Sequence, residues 1–521
     1  MSPSSNRSRL MWASFLTLVA SGVGFATRAA MGGVWEVQFN IGATEFGEIM
    51  GAGFLGFGIM IFFGGILTEK FGYKNLLLLA FILHLISAVM LFAARPAFER
   101  ADAASATQTA YWILFVSTFI FSIAQGLYEA VINPMIAQLY PENQTHYLNI
   151  LHAGWPAGMI IGGLIAASFI GNDAWISTIN FWEIPLACFS VFVIMYGVLA
   201  FPIKFPQTVS EKSKVNFATL FSCFASPIFL ALIVLHACIG YVELGVDSWV
   251  SKLMTNLLPN AIVILVYTSF LMFILRFFAG PIVHRLNPVG LLLMSSVIAC
   301  IGLFWLGSNI ESVATIFIAA TVYSMGKAFF WPTMLGIAGE RFPQSGAIAM
   351  GALGAAGMLT VGLLAGKAIG YKQEVNMASH LKEKSSETYE RFVDADQKKF
   401  LWFPEYQRVT PALAGAATGS FDKDGKVDTK KFDDAIAKQE DETVKARMNG
   451  LKATAETDFP LVKEADIYGG RRALTLTAYV PGAMAVGFLL LLVYFSSIGG
   501  YKRLKVNENG EVVPDENQHG H

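Results

Sequence analysis

Apolar runs alternate with short polar connections along most of the chain up to residue 370, and one further apolar run follows near its end. A helix needs about 20 apolar residues to cross the hydrocarbon, because backbone groups left unpaired in lipid are costly. By that criterion the pattern predicts twelve spans, at 10–36, 44–68, 75–94, 110–138, 147–171, 182–202, 222–251, 260–283, 289–307, 312–338, 345–370 and 473–497. Residues 371–471 break the pattern: they are polar and rich in Lys, Glu, Asp and Ala. Helical spacing in segments such as Phe432 to Leu451 makes this insertion mainly helical.

Orientation follows from the bias of Lys and Arg toward cytoplasmic loops. With the N-terminus inside, one face collects Arg7, Arg9, Lys70, Lys74, Lys204, Lys212, Lys214, Arg285, Arg341, Lys502, Arg503 and Lys505. The short loops of the other face hold only Arg95, Arg100 and Lys252. Both termini are therefore expected in the cytoplasm and the insertion outside, in a multi-pass protein of a bacterial inner membrane or plasma membrane. The expected organisation is an N-terminal six-helix half (1–202), a cytoplasmic connection (203–217), spans 7–11 (218–370), the insertion (371–471), span 12 (472–498) and a cytoplasmic tail (499–521). The fold class is an all-α membrane protein of two six-helix pseudo-repeats.

Composition agrees with this reading. Charged residues make up 14% of the chain, against roughly 25% in an ordinary soluble domain. A net charge of -1 gives no basic surface for nucleic acid. The four cysteines lie in or beside apolar runs without metal spacing, so free thiols are expected and no disulfide. No nucleophile–base constellation, zinc motif or nucleotide loop is present, so neither an enzyme nor a bound cofactor or metal is expected. Asp422-Lys-Asp424-Gly425 has some features of a calcium loop. Its first and twelfth positions would be Ser420 and Lys431, where a carboxylate and a bidentate Glu are wanted, so a turn is the better reading.

The two halves repeat one another weakly. Gly65 to Lys70 after span 2 answers Gly280 to Arg285 after span 8, Trp35 answers Trp249, and Asn133-Pro134 answers Trp331-Pro332. Such repeats place a substrate site at their interface near the bilayer midplane. Ionisable residues at that depth are expensive and mark function by default. Glu129 in span 4, Arg28 in span 1, Glu243 in span 7 and Lys327 in span 10 are the candidates, with Asn133, Asn149 and His152 completing a polar site. Glu129 could instead form a structural ion pair with Arg28 or Lys327. Asp247 is expected at the outer mouth, and Arg276 as a brace at the cytoplasmic end of span 8. Trp331, beside a mid-span proline, is the best aromatic candidate, followed by Trp35, Trp155, Tyr241 and Trp249. Each of these last is by itself more often an interfacial anchor than a ligand.

The run Gly65-Ile-Leu-Thr-Glu69-Lys70-Phe-Gly72-Tyr-Lys74 resembles the major facilitator signature between spans 2 and 3, with Glu69 where Asp is usual and Tyr73 where a base is usual. A carboxylate there can accept from a helix N-terminus or pair across a gate. The resemblance implies that this loop, with its second copy at Gly280 and Arg285, biases the outward-open state. Gly126-Leu-Tyr-Glu129-Ala-Val-Ile-Asn133-Pro134, Pro141, Leu148-Asn149, Arg276-Phe277 and Phe330-Trp331-Pro332-Thr333 resemble the fucose:proton symporter family, which includes glucose/galactose porters.

That resemblance implies inward sugar symport driven by protons, with Glu129 as the proton-coupling acid. The family also uses an acid in span 1, where this chain has Arg28 as its deepest charge. A guanidinium fork suits a carboxylate. The reading is therefore a secondary transporter of a sugar or polyol with protons, acting as a monomer by alternating access. An organic-anion carrier using Arg28 is the first alternative, and a non-transporting sensor built on the insertion the second.

Overall fold

The structure, a computed structural model, describes residues 3–39, 41, 43–102, 104–169, 181–213, 217–254, 262–310, 312–422, 424–439, 442–507 and 511–515. Lys214 of the connection lies outside them, as does the side chain of Lys252. Among the described residues eleven helices are long and apolar enough to cross a membrane. A shorter apolar helix, Ile262–Arg276, occupies the place of the eighth expected span, so the count of twelve turns on this element.

Span 1 is Pro3–Ala29, span 2 Ala43–Phe71, span 3 Tyr73–Leu91 and span 4 Ala106–Leu139. Span 5 is built from Gln144–His152 and Gly154–Phe169, and span 6 from Glu183–Ala187 and Phe189–Ala200. Span 7 runs as Pro227–Gly240, a π-helical stretch Tyr241–Gly245, then Val246–Met254. Span 9 is Ala279–Leu306, kinked at Asn287 before Pro288, and span 10 joins Val313–Lys327 to Phe330–Arg341. Span 11 is Gly346–Thr360, a π-helical Val361–Ala365, then Gly366–Lys384. Span 12 is Tyr479–Ser497.

Lipid supplies no hydrophobic force between apolar helices, so close backbone approach at small residues holds the bundle together. A side chain on Gly22 would strike Gly158, one on Gly126 would strike the backbone of span 2, and one on Gly240 would strike Gly357. These contacts join span 1 to span 5, span 2 to span 4 and span 7 to span 11.

The insertion grows out of two membrane helices without a break at residue 371. Gly366–Lys384 continues span 11 and packs along Ala455–Thr477, which leads into span 12. Leu381, Phe392, Leu413, Phe432, Met448 and Phe459 form a buried cluster of its own, separate from that of the bundle. The Asp422–Gly425 segment is a hairpin turn: Asp422 Oδ1 accepts from the N–H groups of Asp424 and Lys426 at 2.9 and 2.8 Å, and Gly425 takes φ 79°.

Candidate functional site

At the end of the bundle that carries Arg7, Arg503 and residues 203–213 of the connection, the halves are tied together. Glu69 Oε1 accepts from the Ala347 N–H at 3.1 Å and Oε2 from the Ser210 N–H at 3.0 Å. A buried carboxylate thus caps the N-terminus of span 11, where the helix dipole favours negative charge. Gly346 has φ 49°, and a Cβ there would run into Glu69 Oε1, so this close cap requires glycine. Gly65 faces the Ala347 carbonyl with no room for a side chain. Gly72 takes φ 81° to start span 3, Lys74 donates to the Phe201 carbonyl at 3.0 Å, and Lys70 sits over the Phe71 ring.

In the second copy of the loop, the Gly280 N–H donates to His146 Nδ1 at 3.1 Å, while Arg285 is exposed. Glu340, which sequence reasoning missed, accepts from Thr145 of span 5 at 3.0 Å and from Tyr501 of the tail at 2.8 Å.

The second polar assembly lies at mid-bundle. Glu129 is buried, and Asn133, one turn on, donates to its Oε2 at 3.2 Å. Asn133 Oδ1 is 2.9 Å from His152 Nε2. The His152 carbonyl would normally accept from the N–H four residues later, but residue 156 is proline and has none. It accepts instead from Arg276 Nη1 at 2.5 Å. In span 10, Pro332 frees the carbonyl of Ala328 in the same way, and Arg276 Nε donates to it at 2.8 Å. The third arm, Nη2, donates to Glu243 Oε1 at 2.8 Å. Glu243 sits on the π-helical stretch of span 7, a feature common at functional sites.

Arg276 therefore does not brace a span end, as its position at the close of an apolar run suggested. It is buried and joins spans 5, 7 and 10 through a carboxylate and two carbonyls that prolines release. A buried guanidinium with every arm engaged is the arrangement that offsets its desolvation.

Glu129, His152, Glu243, Arg276 and Trp331 line one small cavity, and Arg28, Phe25, Phe121 and Gln125 line another. Trp155, Leu244 and Met358 border both, so the two are compartments of one central space. Their volumes, about 30 and 20 Å³, are measured by the positions open to a water's centre. They hold one or two waters at most and no monosaccharide.

Buried polar atoms on these walls have no protein partner: Glu243 Oε2, Trp331 Nε1, Gln125 Nε2 and Arg28 Nε. Such atoms are rare in native interiors and call for an explanation. Gln125, Glu129 and Asn133 share one face of span 4 at four-residue spacing, and that periodicity was the available signal for Gln125.

Arg28 donates to the Gly24 carbonyl at 2.9 Å and to Ser87 at 3.2 Å, and its guanidinium lies 3.8 Å from the Phe121 ring centre. Among the described residues it forms no salt bridge. Lys327 pairs with Asp247, and both are largely withdrawn from solvent, which moves Asp247 from the expected outer mouth into the bundle. Glu129 thus pairs with neither of the cations considered for it.

Asn149 donates to the Thr145 carbonyl at 2.8 Å and to Thr333 at 3.2 Å, linking spans 5 and 10 away from the cavity. Trp331 stands edge-on to His236 with ring centres 4.5 Å apart. Of the other aromatic candidates, Trp155 borders both compartments and the rest lie elsewhere. Trp35 packs on Trp182 and Phe46, and Tyr241 accepts from Lys372 at 3.0 Å. Trp249 borders a cavity of about 350 Å³ beneath the insertion.

A helical bundle tied at one end, with a polar centre between its halves, is the build of a membrane carrier. The chain belongs to the Major Facilitator Superfamily, whose family model matches residues 13–365. It is a multi-pass membrane transporter and not an enzyme. Its fold is similar to the proton:xylose symporter XylE from E. coli bound to 6-bromo-6-deoxy-D-glucose (16% identity, TM-score 0.59, 70% of this chain and 88% of that one). It is also similar to the transporter FucP in the outward conformation (19%, TM-score 0.56, 70% and 91%). A bacterial homologue of the human lysosomal transporter Spinster covers more of the chain (14%, TM-score 0.58, 94% and 97%). In sequence, the hexuronate transporter of Bacillus subtilis (strain 168) is 22% identical over 186 residues, 35% of this chain and 39% of that protein.

Proposed function

We propose that the chain carries a monosaccharide inward together with protons, by alternating access of its two halves around the Glu129 cavity, with both termini in the cytoplasm. The observation that carries this reading is the pairing on one cavity wall of an unpartnered acceptor, Glu243 Oε2, with an unpartnered donor, Trp331 Nε1, beside Glu129. A sugar hydroxyl both donates and accepts, and a ring CH face packs on an indole. Glu129 is the group that takes and releases the proton, and Asn133 and His152 hold it toward the half that binds Arg276. Because the cavity holds only a water or two, substrate entry requires the halves to part, which couples loading to the conformational step.

Arg28 favours a second reading, in which the carried sugar is an acid. Its charge is buried on the cavity wall, Nε is without a protein partner, and no salt bridge balances it among the described residues. A substrate carboxylate would supply the missing countercharge. The hexuronate transporter among its relatives points the same way.

Uptake into proteoliposomes of a panel of neutral hexoses, pentoses, polyols and hexuronates, at two external pH values, tests both readings. Wild type should accumulate one class more at the lower external pH, and Glu129→Gln should lose the pH-driven part. Arg28→Gln should spare uptake of a neutral sugar and abolish that of an acid. Pump-like accumulation intact in Glu129→Gln would overturn the proposal.

A further inference from the structure

The insertion carries a feature that transport through the bundle leaves unexplained. Residues 393–409 form a narrow antiparallel ribbon, with Val393 opposite Val409 and Lys398 opposite Tyr406. Its tip presents Leu401, Trp402 and Phe403 outward, and Trp402 is 81% exposed. Three adjacent large apolar side chains in water are costly, and such clusters mark interaction sites.

The tip is also rigidly set. Leu401 takes φ 51°, a conformation β-branched and bulky residues rarely adopt. Tyr371 of the span 11 helix packs against Phe400, Phe403 and Tyr406 with ring centres 5.5, 5.1 and 5.0 Å away. Glu374, one turn further along, accepts from Tyr406 at 2.8 Å and pairs with Arg408 at 3.3 Å.

Height along the bundle decides what the tip meets. Gly469 of the neighbouring helix abuts Gln373 and Met377, so Tyr371 stands about level with Arg471. Arg471 in turn donates to Asn309 and the Ile310 carbonyl, in the turn that joins spans 9 and 10. This is the level at which the apolar surface of the bundle gives way to polar groups. Exposed Trp112, Trp305 and Tyr479 lie at this same end of spans 4, 9 and 12, as an aromatic belt at a headgroup region does. The tip continues that belt. Lys398 and Lys399 flank it, with Asp396 before them and Glu405 on the return strand.

We propose that Leu401, Trp402 and Phe403 form a membrane-surface anchor that enters the headgroup region of the leaflet at the insertion end, with the paired lysines favouring anionic lipid. The partner is the bilayer that surrounds the bundle. The anchor fixes the insertion, and through Tyr371 and Glu374 the outer part of the span 11 helix, relative to the membrane surface.

The test uses the full chain reconstituted in vesicles of phosphatidylcholine with or without phosphatidylglycerol. Trp402→Cys, in a background with Cys188, Cys223, Cys238 and Cys300 changed to Ser, is labelled with an environment-sensitive fluorophore. Brominated acyl chains should quench it by roughly twofold, the behaviour of a group at the acyl boundary, and aqueous iodide should have little effect. Quenching by iodide but not by brominated lipid would overturn the proposal. Protection from both would also overturn it, because the tip would then lie against protein.

Should the cysteine-free background fail to fold, wild type and Trp402→Leu are compared by intrinsic tryptophan fluorescence in brominated lipid. Wild type should show the larger quenched fraction, and equal fractions would contradict the anchor.

Discussion

Removing Arg276 should destabilise the bundle, and removing Glu243 with it should restore much of the loss. Arg276 has three partners: Glu243 Oε1 at 2.8 Å, the Ala328 carbonyl at 2.8 Å and the His152 carbonyl at 2.5 Å. Both members of the pair are almost fully buried, at 2% and 4% exposure. Arg276→Met leaves a buried carboxylate without its cation, which costs about 3–5 kcal/mol when one partner of a buried pair is removed. It also leaves two carbonyls already released from their helices, at about 1–3 kcal/mol each where nothing replaces the donor.

The double variant Arg276→Met with Glu243→Gln removes the first cost and keeps the second. Arg276→Met should therefore cost at least about 5 kcal/mol, of which the double variant should recover about 3–5, seen as coupling between the sites. Thermal unfolding of the purified protein in detergent, for wild type, both single variants and the double, gives the cycle. Uptake should be absent in the two variants that lack Arg276, where the bridge between spans 5, 7 and 10 is gone, and reduced in Glu243→Gln, which keeps the two carbonyl bonds. A coupling below about 0.5 kcal/mol, the size found between independent sites, would refute the reasoning.

Pro332→Ala returns an N–H to the Ala328 carbonyl, so a charged hydrogen bond of about 1.5–3 kcal/mol is exchanged for a helical one of about 0.5–1.5, with little proline penalty to relieve because residue 332 lies in the first turn of its helix. Unfolding temperature should change little while uptake falls, and unchanged uptake would show that this carbonyl does not position Arg276. Gly346→Ala strains a left-handed residue by about 1–2 kcal/mol and displaces the Glu69 cap. The balance should shift toward the form open at the terminal end, seen as faster labelling of a cysteine placed at Gln138; unchanged labelling would separate Glu69 from the gate. Asp247→Asn should leave Lys327 without its partner and lower the unfolding temperature, and Lys327→Met in the same chain should recover part of it; a fall in both variants alike would argue against the pair.

Much of the bundle was legible in the chain, because lipid imposes a length and a polarity that few other structures share. The loop from Gly65 to Lys74 was legible for the same reason: a carboxylate and glycines in a short turn between two spans have a narrow set of uses. The site was legible only in part. Glu129, Asn133 and His152 lie within one half on adjacent spans, and the structure brings them together. Arg276 was misread because it closes an apolar run, where a headgroup brace is the ordinary occupant. The clue lay in the prolines at 156 and 332, each of which frees a carbonyl for a distant donor.

The pairing of Lys327 with Asp247 depends on the π-helical stretch of span 7, which shifts the later residues by one around the axis and leaves no mark in composition. Trp35, Tyr241 and Trp249 were drawn to the site by type alone, and packing on neighbouring rings, lysines and glycines holds them elsewhere. Arg28, which the chain offers as the deepest charge of span 1, is buried. That it lies on the cavity wall without a carboxylate was a matter of side-chain direction, which spacing does not set.

The most direct test of proton-coupled transport at Glu129 is proton movement driven by substrate alone. Proteoliposomes without an imposed gradient, given the transported substrate in weakly buffered medium, should show external alkalinisation as protons enter with it. Glu129→Gln should bind or exchange the substrate with no alkalinisation. Alkalinisation of equal size in wild type and Glu129→Gln would contradict the account.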